Sequence, residues 1–134
     1  MSQTKNLKKV DTFIHPSGFV EQHYRGEQTL ESVLEGMKQL ERCVNKAVNE
    51  QKKAALVLAD VTELTKVDLS RKMLKARKKA VELMRKMNYE KAAIYGPMPV
   101  QFMVNTMAMI AGKHNKVRVF ENRLEALEWL QSKK

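Results

Sequence analysis

The sequence predicts a single α/β domain, a mixed and mostly parallel sheet with covering helices. Three observations carry this. Segments of strand character alternate with amphipathic helical segments along the chain. The run from Ala54 to Ala59 is apolar at every position, the pattern of a strand buried on both faces of a parallel sheet. Finally, 134 residues, 43% apolar and 30% charged, suit one core of ordinary size. The whole chain, 1–134, is therefore expected to form one domain.

The first strand is expected at Val10 to Ile14. His15-Pro16-Ser17-Gly18 follows as a turn, because a fixed proline φ stands next to a permissive glycine. Phe19 to Arg25 mixes aromatic and β-branched residues with polar ones and should stop at Gly26, which makes an opening hairpin. From Thr29 onward Leu30, Val33, Leu34, Met37, Leu40, Val44, Ala47 and Val48 recur at helical spacing, with Glu31 and Glu35 early and Lys46 late, as the helix dipole favours. Ala54 to Ala59 gives the buried strand, and Thr62 to Val67 reads as a polar loop. Asp68 can then cap a helix with the apolar stripe Leu69, Met73, Ala76, Ala80, Leu83, Met84 and Met87. Lys91 to Tyr95 is a further strand, closed by Gly96-Pro97-Met98-Pro99. A helix over 100–112, a strand at Val117 to Phe120 and a short helix through Leu124, Ala126, Leu127, Trp129 and Leu130 complete the order.

No catalytic constellation emerges. The five glycines, at 18, 26, 36, 96 and 112, fit neither the dinucleotide fingerprint nor the Walker spacing. His15 and His23 are placed to face each other across the hairpin, yet they lack an acidic pattern and read as solvated or hydrogen-bonded histidines. Asp60, Glu63 and Asp68 follow the central strand, at the edge where open α/β sheets place their sites. Loop hydrogen bonding by Asp60 and Thr62, and capping by Asp68, explain them more simply. Cys43 stands alone as an inert structural thiol, and no zinc-ligand spacing occurs. Neither a metal nor a cofactor is expected. Residues 1–10 lack the apolar run of a signal peptide and no segment is long enough to span a bilayer, so a cytoplasmic protein is expected.

Charge and apolarity supply the functional signal. The net charge is +10, and between Lys66 and Lys91 ten Lys or Arg stand against three acids. Arg71, Lys72, Lys75, Lys78 and Lys79 lie mainly opposite the apolar stripe of their helix, turning a positive field outward as an anionic anchor. The helix over 100–112 differs from the others, because Phe102, Met103, Val104, Met107 and Ile110 help wrap most of its circumference in apolar side chains. These residues, with Met84, are the candidate wall for an apolar ligand, methionine being adaptable to lipid-like contact. The stiff Pro97 and Pro99 before this helix and Gly112 after it would let it swing as a unit. Nucleic acid ranks third as a partner: eight aromatics form no stacking platform on a strand.

Leu56-Val57-Leu58-Ala59-Asp60-Val61-Thr62, Lys91-Ala92-Ala93-Ile94-Tyr95-Gly96, and Val117-Arg118-Val119-Phe120 with Ala126-Leu127-Glu128-Trp129-Leu130 together resemble the SpoIIAA-like family. These are bacterial proteins related in fold to the STAS domains of anti-sigma factor antagonists. The resemblance covers nearly the whole chain. It implies a mixed sheet with covering helices, binding of apolar ligands, membrane association through movable helices, and no catalysis. STAS antagonists are switched at a serine in an Asp-Ser pair at a helix start; here Asp68 is followed by Leu69, with Ser70 one step later as the regulatory candidate. The expectation is thus a non-catalytic module for an apolar small molecule or the anionic membrane surface, peripheral at the inner membrane face. A STAS-type regulatory module with a protein partner is the alternative, and a homodimer is admitted by either reading.

Overall fold

The computed structural model describes residues 9–67, 72–97, 112 and 115–132. Within them five strands form one sheet in the order β1 (Val10–Ile14), β2 (Val20–Gln28), β3 (Ala55–Val67), β4 (Tyr89–Tyr95) and β5 (Val117–Phe120). The β1–β2 pair is antiparallel and every later neighbouring pair is parallel. Helices α1 (Leu30–Gln51) and α2 (Lys72–Lys86) cover one face, and α3 (Arg123–Gln131) covers the other. This is the mixed, mostly parallel α/β sheet that the alternating segments predict. The helix expected over 100–112 lies outside the described residues except for Gly112.

The opening hairpin closes as its turn residues dictate. The Gly18 amide donates to His15 O at 2.7 Å and the His15 amide to Phe19 O at 2.8 Å, with Gly18 at φ +104°. His15 stacks on Phe19 and accepts from the Ser17 amide, while His23 stacks against Phe13; the two histidines do not face each other. Two boundaries differ from expectation. β2 does not stop at Gly26 but continues to Gln28, because register shifts on either side of Arg25–Gly26 absorb the glycine's φ of +71° as a bulge. The segment from Thr62 to Val67, expected as a loop, extends β3 alongside that extra length of β2, with Arg25 opposite Glu63 and Glu27 opposite Lys66. Its polarity reflects exposure at the end of the sheet, where Arg25–Glu63 and Lys66–Glu27 ion pairs span 3.9 Å.

Thr29 starts α1 with a reciprocal cap: its hydroxyl accepts from the Ser32 amide at 3.1 Å and its own amide donates to Ser32 Oγ at 2.9 Å. The helix ends at Lys52, whose left-handed φ of +58° lets its amide reach Val48 O. Helix α1 rests on the hairpin at Gly36, where a Cβ would stand 2.9 Å from Val10 Cγ1 and 3.2 Å from Tyr24 Oη. Val44 and Ala47 of α1 pack on Val20, Val57 and Val61 of the sheet, all buried. On the opposite face Phe19, Leu58 and Ala93 pack under Ala126 and Leu130 of α3. Helix α3 is capped by Asn122, whose Oδ1 accepts from the Glu125 amide.

Candidate functional site

Two features stand out, one on each face of the sheet. Between α1, α2 and the sheet lies a cavity of about 210 Å³. Val33, Met37 and Leu40 of α1, Ala80, Leu83 and Met84 of α2, and Val57, Ala59 and Ile94 of the strands contribute to its wall. The parity of the strands explains why it forms here: Val57, Ala59 and Val61 alternate onto this face, and small residues at Ala59, Ala80 and Ala92 leave space that larger side chains would fill. Among the described residues the polar ones on its border are Gln22, Tyr24, Gln28 and Tyr89, and none of those that line it is charged. Burial pushes both the Tyr24 and Tyr89 hydroxyls up to about 12. Cys43, half-buried beside this core, has its thiol pushed up by burial, which outweighs the opposing charges of Arg42 and Lys46.

On the α3 face, level with the carboxyl ends of β4 and β5, six side chains form a closed polar network. His23 stands between two carboxylates, with Nε2 2.7 Å from Glu21 Oε2 and Nδ1 3.1 Å from Asp60 Oδ2. Arg123 clamps Glu21 through both terminal nitrogens and also donates to Tyr95 Oη at 3.2 Å. Asp60 Oδ1 accepts from the Thr62 amide at 2.8 Å and from its hydroxyl at 2.6 Å. Burial raises the Glu21 carboxyl, but hydrogen bonds and charge from Arg123 and His23 outweigh it and hold the group below its ordinary 4.5. Burial raises Asp60 as well, and the two Thr62 bonds, with Tyr95 and His23, bring it below its ordinary 3.8. The Tyr95 hydroxyl is pushed up by burial first and by the Asp60 charge next. Hydrogen bonding to Glu21 raises the Arg123 guanidinium further.

In this arrangement each ring nitrogen of His23 already faces a carboxylate, so His23 offers no free nitrogen to act as a general base. Among the described residues no group of three His, Cys, Asp or Glu is disposed to hold a metal.

Of the residues predicted from sequence, Met84 lines the cavity. Lys75, Lys78 and Lys79 are exposed on α2, which begins at Lys72. Ser70, Arg71, Phe102, Met103, Val104, Met107 and Ile110 lie outside the described residues. Of the polar network the sequence pointed to Asp60 and Thr62, which do hydrogen-bond, and to His23, but not to Glu21, Tyr95 or Arg123. The one local signal for Glu21 was its place two residues from His23 on a strand, hence on one face. No helix among the described residues is long and apolar enough to cross a membrane.

Comparison with known proteins agrees with this architecture. A search of the curated proteins gives no match. Among solved structures, the chain is similar to a DUF3478-family protein with a SpoIIAA-like fold from Shewanella loihica PV-4. The two are 22% identical, superpose with a TM-score of 0.65, and cover 97% of this chain and 98% of that one, a likeness of fold. The SpoIIAA-like fold is one of binding and regulatory modules. The model of that family matches residues 20–131, from β2 through α3, and the chain belongs to the SpoIIAA-like family.

Proposed function

We propose that this protein is a non-catalytic binding module that holds an apolar, lipid-like molecule between α1, α2 and the sheet. The observation that carries the reading is the cavity itself. Well-packed helices leave little room against a sheet, whereas here a half-open cleft of about 210 Å³ has an almost wholly apolar wall among the described residues. Phe102, Met103, Val104, Met107 and Ile110 join the ligand wall on the strength of their sequence alone. The exposed Lys75, Lys78 and Lys79 form no ion pair with any described residue and serve the same reading as contacts to an anionic membrane surface. That His23 has no free ring nitrogen supports a module without catalysis.

Native mass spectrometry of freshly purified protein tests the cavity, and sedimentation with neutral and anionic vesicles at low and high salt tests the lysines. A bound apolar mass, with salt-sensitive sedimentation on anionic vesicles only, is the expected result. Protein that is empty, takes up no apolar probe and ignores both vesicle types would overturn the reading and put the STAS-type partner-binding module ahead.

A further inference from the structure

We infer that the molecule taken by the cavity is uncharged and carries a hydroxyl group, recognised by Gln22 of β2 and Tyr24 beside it. The inference rests on the cavity being a ligand site. Because none of the described residues that line the cavity is charged, a carboxylate or ammonium head would sit desolvated and unpaired against them. A neutral head is the one that this wall tolerates.

Gln22 supplies the first recognition group. It is only 2% exposed, in the second strand of the sheet, where an apolar residue would be expected. Its amide nitrogen uses both hydrogens, one to Thr12 Oγ1 at 2.9 Å and one to Gly36 O at 2.8 Å. This fixes the orientation, since a flipped amide would set two oxygens against each other at Gly36. Oε1 is left without a hydrogen-bond partner among the described residues, on a side chain that borders the cavity.

Tyr24 supplies the second. It lies two residues along the same face of β2, borders the cavity, and its hydroxyl, which burial keeps neutral, makes no hydrogen bond to a described residue. Its Oη comes within 3.2 Å of the point a Gly36 Cβ would occupy, so both polar groups gather at Gly36 of α1. A hydroxyl is the head group that both donates and accepts: it donates to Gln22 Oε1 and accepts from Tyr24 Oη. A ketone would leave Gln22 unanswered. The other polar residues of the wall are not available in this way. Gln28 is satisfied by Lys9 O, Arg25 O and Ser32 Oγ, and Tyr89 Oη, although unpartnered, is sealed from any space a ligand atom reaches. In size, a cavity of about 150 Å³ takes benzene, so this one takes a substituted ring or a chain of similar bulk.

The test is calorimetric titration of the full chain with three probes of one shape: 4-isopropylphenol, p-cymene (a methyl in place of the hydroxyl) and 4-isopropylbenzoate. Water solvates the phenol far better, so a wall offering it no partner would prefer p-cymene by about tenfold or more. The expected result is that the phenol binds at least as tightly as p-cymene and the benzoate far more weakly. Tyr24→Phe and Gln22→Met should each shift the phenol-to-hydrocarbon ratio toward p-cymene by about fivefold to tenfold, with p-cymene affinity held. Tyr24→Phe removes a single oxygen and keeps the measurement decisive if Gln22→Met fails to fold. Binding of p-cymene with the phenol tenfold weaker, or with the benzoate tightest, overturns the hydroxyl inference and leaves the cavity reading standing. Failure of all three probes to bind overturns the cavity reading itself.

Discussion

Arg123, the first residue of α3, grips Glu21 of β2 with both terminal guanidinium nitrogens, at 2.6 and 3.1 Å, across 102 positions of sequence. A cation in the first turn of a helix opposes the helix dipole. Its presence there is explained by the carboxylate it meets, which is only 4% exposed and which, among the described residues, would otherwise have His23 alone as an ion-pair partner. The pair, with His23, Asp60 and Tyr95, ties the second strand to the last helix.

Replacing Arg123 by Met should therefore destabilise the fold. Loss of one partner of a fully buried pair costs about 3–5 kcal/mol, and the 39% exposure of the Arg123 side chain reduces this to about 2 kcal/mol. Urea unfolding measures it. Arg123→Lys should recover part of the loss, since it keeps the charge without the fork; full recovery would show that the two-pronged geometry contributes nothing.

The two depressed carboxyls set an acid limit. For Glu21 and Asp60 the folded-state pKa lies below the ordinary 4.5 and 3.8, so their contribution is complete above those values and is lost as pH falls through the folded ones. Thermal midpoints followed downward from pH 6 should hold until about the ordinary carboxylate range and then drop. In Glu21→Gln the drop should be shallower, from a lower starting midpoint.

At the alkaline end the tyrosines behave in the opposite sense. Tyr24 and Tyr89 are pushed up to about 12 and Tyr95 is raised as well, so folding favours their protonated forms. That stability is present below the ordinary 10.0 and disappears as pH rises through the folded values. Phenolate absorbance at pH 10 should be well under half of the full amplitude in the native protein, and reach half in denaturant.

Lys91 offers a test on the other side of α3. Its ammonium, on a residue only 6% exposed, donates to Trp129 O, Ser132 O and Ser132 Oγ at 2.8 to 2.9 Å and lies 5.0 Å from the Trp129 ring centre. It thus answers the free carbonyls at the end of the helix with a full positive charge. Lys91→Met should cost about 2 kcal/mol and speed hydrogen exchange chiefly in the last turn of α3.

Gly36→Ala sets helix propensity against packing. Alanine would favour the helix by about 1 kcal/mol, yet its methyl would meet Val10 Cγ1 at 2.9 Å. We expect net destabilisation of about 1 kcal/mol, relieved when Val10→Ala is added. A stabilised single variant would show that α1 can lift from the hairpin without loss.

What could be read from sequence follows the range of the physics involved. The apolar spacing of Leu30 to Val48 and the run from Ala54 to Ala59 are local patterns, and both elements appear where those patterns lie. The polar extension of β3 was opaque, because Glu63, Leu64 and Lys66 look like a loop until Arg25 to Glu27 are placed alongside. For the same reason Asp60 drew notice as a strand-end acid, while its partnership with His23 depended on the β2–β3 register that sets the two side by side. Arg123 carried no signal, being one cation among twenty-five Lys and Arg. The cavity was half legible: Met84 belongs to a periodic stripe, whereas Gln22 and Tyr24 sit on a strand whose inward face is apparent only after α1 is laid across it.

The sheet order β1-β2-β3-β4-β5 also bears on how the chain is built. Each strand joins beside the one made just before it, so none has to be threaded between two that are already paired. During synthesis the growing edge always presents the next docking place, and pairing can keep pace with elongation. The clamp between Glu21 and Arg123 is the exception, since its halves emerge near opposite ends of that sequence of events. It can close only once the rest is laid down, and so works as a latch on a finished assembly.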